Sequence, residues 1–205
     1  ERVPEEINRK IVDHIADINM TYSTISRNYL INENFPPQRI IKVGSPMLEI
    51  INNNLSNIKA SKILKKLNLK KNKFFIFSCH REEIIDSEEM FTKFINTLNK
   101  LANKYKHKII ISAHPRTLKK LNNSSVDLNS LIQIHPPFGF FDYVNLQINA
   151  FVTLSDSGTI NEEASILNIP AINLRETNER PEAMEEGSSL MVGMDIDRIL
   201  HAIEL

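Results

Sequence analysis

The residues with the clearest chemical potential are Asp156-Ser157-Gly158-Thr159, which lie between an apolar run, Phe151–Leu154, and a helix-patterned segment, Ile160–Leu167. A strand that turns directly into a helix leaves the first N–H groups of that helix without intrahelical partners. Gly158 allows a ligand to approach the backbone closely, and Ser157 and Thr159 add hydroxyl donors. Such a turn suits an anion, most plausibly phosphate. The competing reading is an ordinary Ser or Asp helix cap. Glu162 and Glu163 follow within two turns and oppose an anion, although Glu163 has the reach to accept from sugar hydroxyls, as a ribose requires.

Three further groups stand at the ends of apolar runs. His80-Arg81-Glu82 follows Phe74–Ser78, where the histidine can move a proton or hold a phosphate and Arg81 can pair with one in a bidentate manner. Neighbouring strand residues face opposite ways, so Cys79 and His80 do not form a thiol–imidazole pair. His114-Pro115-Arg116 follows Ile109–Ser112; Pro115 fits a first helical turn, which leaves His114 to contact an anion or to cap the helix. Glu176–Glu182 follows Ala171–Leu174, and Arg180, held extended by Pro181, can counter a diphosphate. In the aromatic stretch Phe138–Tyr143, a ring facing the same rim can stack on a base, and Tyr143 is the candidate.

The elements that must position these groups alternate. Buried strands are expected at Phe74–Ser78, Ile109–Ser112, Leu131–Ile134, Phe151–Leu154 and Ala171–Leu174. Helices are expected at Glu88–Tyr105, Arg116–Leu121, Phe141–Ile148 and Ile160–Leu167. This alternation implies an α/β fold, a Rossmann-like, doubly wound parallel sheet whose ligands bind beyond the carboxyl ends of the strands. Upstream, Pro4, Glu5 and the spacing of Ile7, Ile11 and Ile15 predict one helix, and Thr21–Asn32 a second, ended by Asn34 and Pro36-Pro37. A short strand, Ile40–Val43, a Gly44-Ser45-Pro46 turn and a helix through Ile51 follow. Residues 52–73 are rich in Asn and Lys, with a short helix near Ser61–Leu67.

Composition narrows the function classes. Twenty-five basic and twenty-five acidic residues cancel, so no basic stripe points to nucleic acid and none to a membrane surface. No apolar run approaches the ~18 residues of a membrane span, and no signal-like start precedes Pro4. One cysteine excludes an internal disulfide framework and suits a cytoplasmic location. His107 and His135 lack ligand-like spacing, so no metal site is expected. Only five glycines are present, and neither G-x-x-x-x-G-K-[ST] nor G-x-G-x-x-G occurs, which removes ATP hydrolysis and NAD and leaves no cofactor expected.

Taken in order, Pro4-Glu5-Glu6-Ile7-Asn8-Arg9, Gly44-Ser45-Pro46, His80-Arg81-Glu82, His114-Pro115, Asp156-Ser157-Gly158-(x)3-Glu162-Glu163-Ala164 and Glu179-Arg180-Pro181-Glu182 resemble the non-hydrolysing UDP-N-acetylglucosamine 2-epimerases. The wording around Val3–Arg9 and Gly44–Met47 looks most like the branch serving capsule and O-antigen sugars, including N-acetyl-fucosamine-pathway members. The resemblance implies the C-terminal domain of a GT-B-type two-domain enzyme. Residues 1–36 would be the last helices of an otherwise missing first domain, and 37–205 the nucleotide-binding domain. It implies an isomerase acting on UDP-N-acetyl-hexosamines by eliminating and re-adding UDP, inactive as this half alone and a homodimer at full length. Glu5 and His80 would be catalytic. Ser157, Gly158, Glu163, Arg180 and Tyr143 would bind UDP, and Arg81 and His114 would contact substrate or a second, activating UDP-sugar. Where the family often has Ser-Gly-Gly, this chain has Ser157-Gly158-Thr159. A GT-B glycosyltransferase domain and a non-catalytic UDP-sugar-binding module share the nucleotide rim and remain as alternatives.

Overall fold

The strongly apolar segment Phe74-Phe75-Ile76-Phe77 is fully buried at the middle of the protein. Each such side chain contributes about 1.5–3 kcal/mol relative to an exposed position. The computed structural model describes residues 4–78, 87–124, 126–175 and 190–205, with the side chains of residues 4, 5, 122 and 123 left aside. His80, Arg81 and Arg180 therefore lie outside the described residues, and Glu5 is placed only by its backbone.

A small unit comes first. Helix α1 (Pro4–Ile15) precedes strand β1 (Asn19–Thr21), helix α2 (Thr24–Asn32) and strand β2 (Ile40–Lys42). β1 and β2 form a separate two-stranded parallel sheet, with Asn19 opposite Ile40 and Thr21 opposite Lys42. Thr21 thus ends a strand and does not begin a helix as expected; α2 starts three residues later, where the Ser23 side chain accepts from the Ser26 N–H. Three residues with an exposed Met20 at their centre carry no readable periodicity, and their partner lies about twenty positions away. An Arg9 bonded to Glu6, Asp13 and Glu33 ties α1 to the end of α2. Residues 36 and 37, where the sequence places a domain boundary, lie between β1 and β2.

The second unit is a three-layer α/β domain. It begins with helices α3 (Met47–Asn53), α4 (Leu55–Ala60) and α5 (Ile63–Lys66); the first and third match the expected helices, and α4 is the addition. The alternation then runs β3 (Phe74–Ser78), α6 (Glu88–Tyr105), β4 (Lys108–Ser112), α7 (Pro115–Asn123), β5 (Ile132–His135), α8 (Phe140–Asn149), β6 (Val152–Ser155), α9 (Ile160–Leu167) and β7 (Ala171–Asn173). A two-residue strand β8 (Leu190–Met191) and helix α10 (Ile196–Glu204), neither expected from the sequence, complete it. The order β5-β4-β3-β6-β7-β8 is parallel throughout, as the doubly wound reading requires. From β3 the chain winds first to one side and then, from β6, to the other. The order therefore reverses between β3 and β6, and the crevice for a ligand lies beyond their carboxyl ends.

Two layers of helices cover the sheet. Phe91, Phe94, Leu98 and Leu101 of α6 and Ile199 of α10 pack on one face with Phe75 and Phe77. Ile63 and Leu146 pack on the other with Phe74, Ile76 and Ile110. α3 and α4 reach the domain through Ile51 and Ile58, which meet Val144, Ile148 and Ile166. Among the described residues no helix is long and apolar enough to cross a membrane.

Candidate functional site

The switch point brings Ser78 and Ser155 opposite each other as the last residues of β3 and β6. The Asp156 N–H donates to the Ser78 carbonyl at 3.2 Å, so the turn starts inside the sheet ladder and its position is fixed by the strands. The Ser155 hydroxyl accepts from the Ser157 N–H at 3.1 Å, and the Ser157 hydroxyl accepts from the Thr159 N–H at 3.3 Å. These bonds fold residues 155–159 into a tight corner ahead of α9.

The helix-cap reading of this turn is met in part through Ser157, whose hydroxyl accepts from the Thr159 N–H. Thr159 occupies the cap position with φ −88° and ψ −10°, and its side chain makes no cap hydrogen bond. The first turn of α9 follows directly, at the switch point of the sheet. The Thr159 hydroxyl turns instead to Glu163, donating to one carboxylate oxygen at 2.6 Å. Its only proton is thereby used, so the 2.9 Å contact between the Ser157 and Thr159 hydroxyls has Ser157 as donor. Gln147 from α8, itself buried, donates to the other Glu163 oxygen at 2.6 Å. A relay of hydroxyls therefore runs from the anion turn to a carboxylate anchored on both oxygens.

Gly158 is not demanded by backbone conformation, because its φ is not in the left-handed region. The nearest atoms a Cβ there would meet are those of the Arg175 guanidinium, at 3.5–3.8 Å, an ordinary contact. The side chain it lacks leaves the approach to the helix start open. The sequence places Arg175 at the start of the candidate group that runs to Arg180, without a role of its own. Its Nε donates to the Asp156 carbonyl at 2.7 Å, and its N–H is held by the Asn173 side chain at 3.0 Å, which places a cation against the turn. Its position directly after β7, on the same rim, was the available signal.

Tyr143 packs with Phe138 on the cluster beneath the sheet's second face, and its hydroxyl bonds with Ser78 and Ser155 at the switch point. Burial, and then the charge of Glu163, push its phenol above the ordinary value near 10, against the hydrogen bonds from the two serines. The ring is partly buried beneath the turn. The exposed aromatics of that stretch are Phe140 and Phe141, at the start of α8 with centroids 5.8 Å apart. His114 is exposed and caps α7: its Nδ1 accepts from the Arg116 N–H at 3.4 Å. It stands on the neighbouring strand end, on the far side of β3 from Ser157. No group of three or more potential metal ligands occurs among the described residues.

Ser157, Gly158 and Glu163 are therefore brought together with Arg175 and Gln147, and Tyr143 supports them from below. A family model described as UDP-N-acetylglucosamine 2-epimerase matches residues 1–205. A UDP-N-acetylglucosamine 2-epimerase of Methanococcus maripaludis is 35% identical over 211 residues, covering 99% of this chain and 57% of that protein. The structure of UDP-N-acetylglucosamine 2-epimerase from Rickettsia bellii superposes with a TM-score of 0.87 at 44% identity, covering 99% of this chain and 54% of that one. That of the Methanocaldococcus jannaschii enzyme, in complex with UDP-GlcNAc and UDP, gives 0.88 at 32% identity over 98% and 57% of the two chains. The chain spans about half the length of these relatives, their C-terminal half, and has the nucleotide-domain fold of GT-B-type enzymes. The chain belongs to the UDP-N-acetylglucosamine 2-epimerase family.

Proposed function

We propose that this chain is the UDP-binding half of a UDP-N-acetylglucosamine 2-epimerase, with the diphosphate held at the start of α9. The observation that carries the reading is the tight Ser155–Thr159 turn that leads into α9 at the switch point, with the Arg175 guanidinium bonded to its Asp156 carbonyl. The N–H groups take the phosphate oxygens and Arg175 offsets their charge. Glu163 accepts from the ribose, its second lone pairs being open beside the bonds from Thr159 and Gln147. Arg180, by motif match, supplies a second cation.

The reaction proposed for the full-length protein follows from what such a cradle does best. A carboxylate, assigned to Glu5, removes the C2 proton while the C1–O bond breaks and its electron pair leaves with UDP, giving a 2-acetamidoglycal. A proton then returns to C2 on the opposite face, and the UDP oxygen re-adds at C1. His80 is assigned to the diphosphate side. The helix start and the cations stabilise the charge on UDP as it develops, the electrostatic contribution that dominates such steps. The family's two-domain plan supplies the remaining groups from the other half.

Calorimetric titration of UDP into this chain tests the site. Binding is expected, and a folded chain that takes up no UDP overturns the reading. In the full-length protein, turnover in deuterated water places deuterium at C2; product without it rules out proton removal.

A further inference from the structure

Ser45 is the point at which the small unit and the α/β domain become joined. Upstream, the Val43 N–H still donates to the Thr21 carbonyl at 2.9 Å, so the β1–β2 ladder runs up to the turn. Gly44 then takes φ +80°, a left-handed conformation that side-chain-bearing residues rarely adopt. Downstream, Met47 packs with Ile51 and Ile58 against α8 and α9. Between the two, the Ser45 hydroxyl donates to a Glu162 oxygen at 2.6 Å and accepts from the Met47 N–H at 3.2 Å.

Glu162 lies in the first turn of α9, two residues after the helix begins and next to Glu163. The paired carboxylates that counted against an anion at this turn are thus divided between two tasks. Glu163 serves the hydroxyl relay of the site, and Glu162 reaches back across 117 positions to the turn that leaves the small unit. We propose that Ser45 is a positioning residue: its hydrogen bond to Glu162 sets the small unit, whose α1 carries Glu5, against the helix start that holds the diphosphate. The bond is a charge-assisted one between a short side chain and a helix, so it fixes direction as well as distance. It rests on the proposed UDP site and adds to it a route by which occupancy of α9 is felt at β2.

Hydrogen exchange on this chain, with and without saturating UDP, tests the assignment in wild type and in Ser45→Ala and Ser45→Thr. In wild type, UDP is expected to slow exchange in α9 and, about threefold or more, in residues 40–47. Ser45→Ala should keep its UDP affinity within about twofold and its α9 protection while losing the effect at 40–47. Ser45→Thr, which retains the hydroxyl, should restore it. A variant that merely loosened the fold would exchange faster with or without UDP and would not be rescued selectively in the bound state. Equal UDP-dependent protection at 40–47 in wild type and Ser45→Ala overturns the proposal, as does protection confined to α9 in both. Absence of UDP binding to wild type instead overturns the site on which it rests, a result calorimetry separates from the other two.

Discussion

The Thr159 hydroxyl donates to Glu163 at 2.6 Å across one turn of α9 and holds that carboxylate beside the turn. Glu163→Gln removes the anionic acceptor while keeping the shape. The expected outcome is a preference for UDP over its 2′,3′-dideoxy analogue of roughly tenfold in wild type, falling to about twofold in the variant, because hydrogen bonds to a charged group are worth about 1.5–3 kcal/mol. Competition calorimetry with the two nucleotides reads the ratio directly.

Gly158→Ala isolates ligand approach from folding. The nearest atoms to the new Cβ are those of Arg175, at contact distance, and the backbone needs no left-handed conformation, so stability should change by less than about 0.5 kcal/mol. UDP affinity should fall about tenfold or more, since the methyl group occupies the space through which a phosphate reaches the helix N–H groups. Denaturant titration and calorimetry on the same samples separate the two effects.

Arg175→Lys is expected to weaken UDP binding about tenfold, and Arg175→Ala further. Lysine keeps the charge, but it loses the fork that bonds the Asp156 carbonyl and lies along Gly158 at the same time. A lysine variant binding as tightly as wild type would remove Arg175 from the site.

Tyr143 links the site to alkaline stability. Its phenol titrates above the ordinary value in the folded protein, through burial first and the Glu163 charge second. The stability it contributes is therefore complete below about pH 10, where the unfolded tyrosine is neutral, and is lost as pH rises beyond that. Urea midpoints between pH 9 and 11 should fall more steeply for wild type than for Tyr143→Phe. Identical slopes would contradict the assignment.

The small unit makes a different kind of prediction. Ile7, Ile11, Val12 and Ile15 line one side of α1 at 64%, 56%, 59% and 77% exposure. A contiguous apolar strip of this kind favours self-association in water. Ile11→Lys with Ile15→Lys should leave the melting temperature of this chain within about 2 °C while lowering its tendency to associate, measured by light scattering across a concentration series.

Much of this was legible in the order of residues. The continuous apolar runs Phe74–Ser78, Ile109–Ser112 and Phe151–Leu154 come within a residue or two of β3, β4 and β6, because strands buried on both faces must be apolar throughout. The alternation with helices then dictates a parallel sheet, and the groups at strand ends mark its functional edge. The Asp156–Gly158 turn was readable for the same local reason, as a helix start following a strand. What the residue order left open depended on partners far away in the chain. The Thr159 hydroxyl turns to Glu163, whose other oxygen is held by Gln147 from another helix; β1 exists because β2 lies beside it; and Arg175 is at the turn because Asp156 offers it a carbonyl. The place of Tyr143 beneath the turn follows from the pairing of Ser78 with Ser155. Local patterning sets which elements form, since propensity and burial act within a few residues. Only the packed structure decides which hydrogen-bonding groups are spent on the protein and which are left for a ligand.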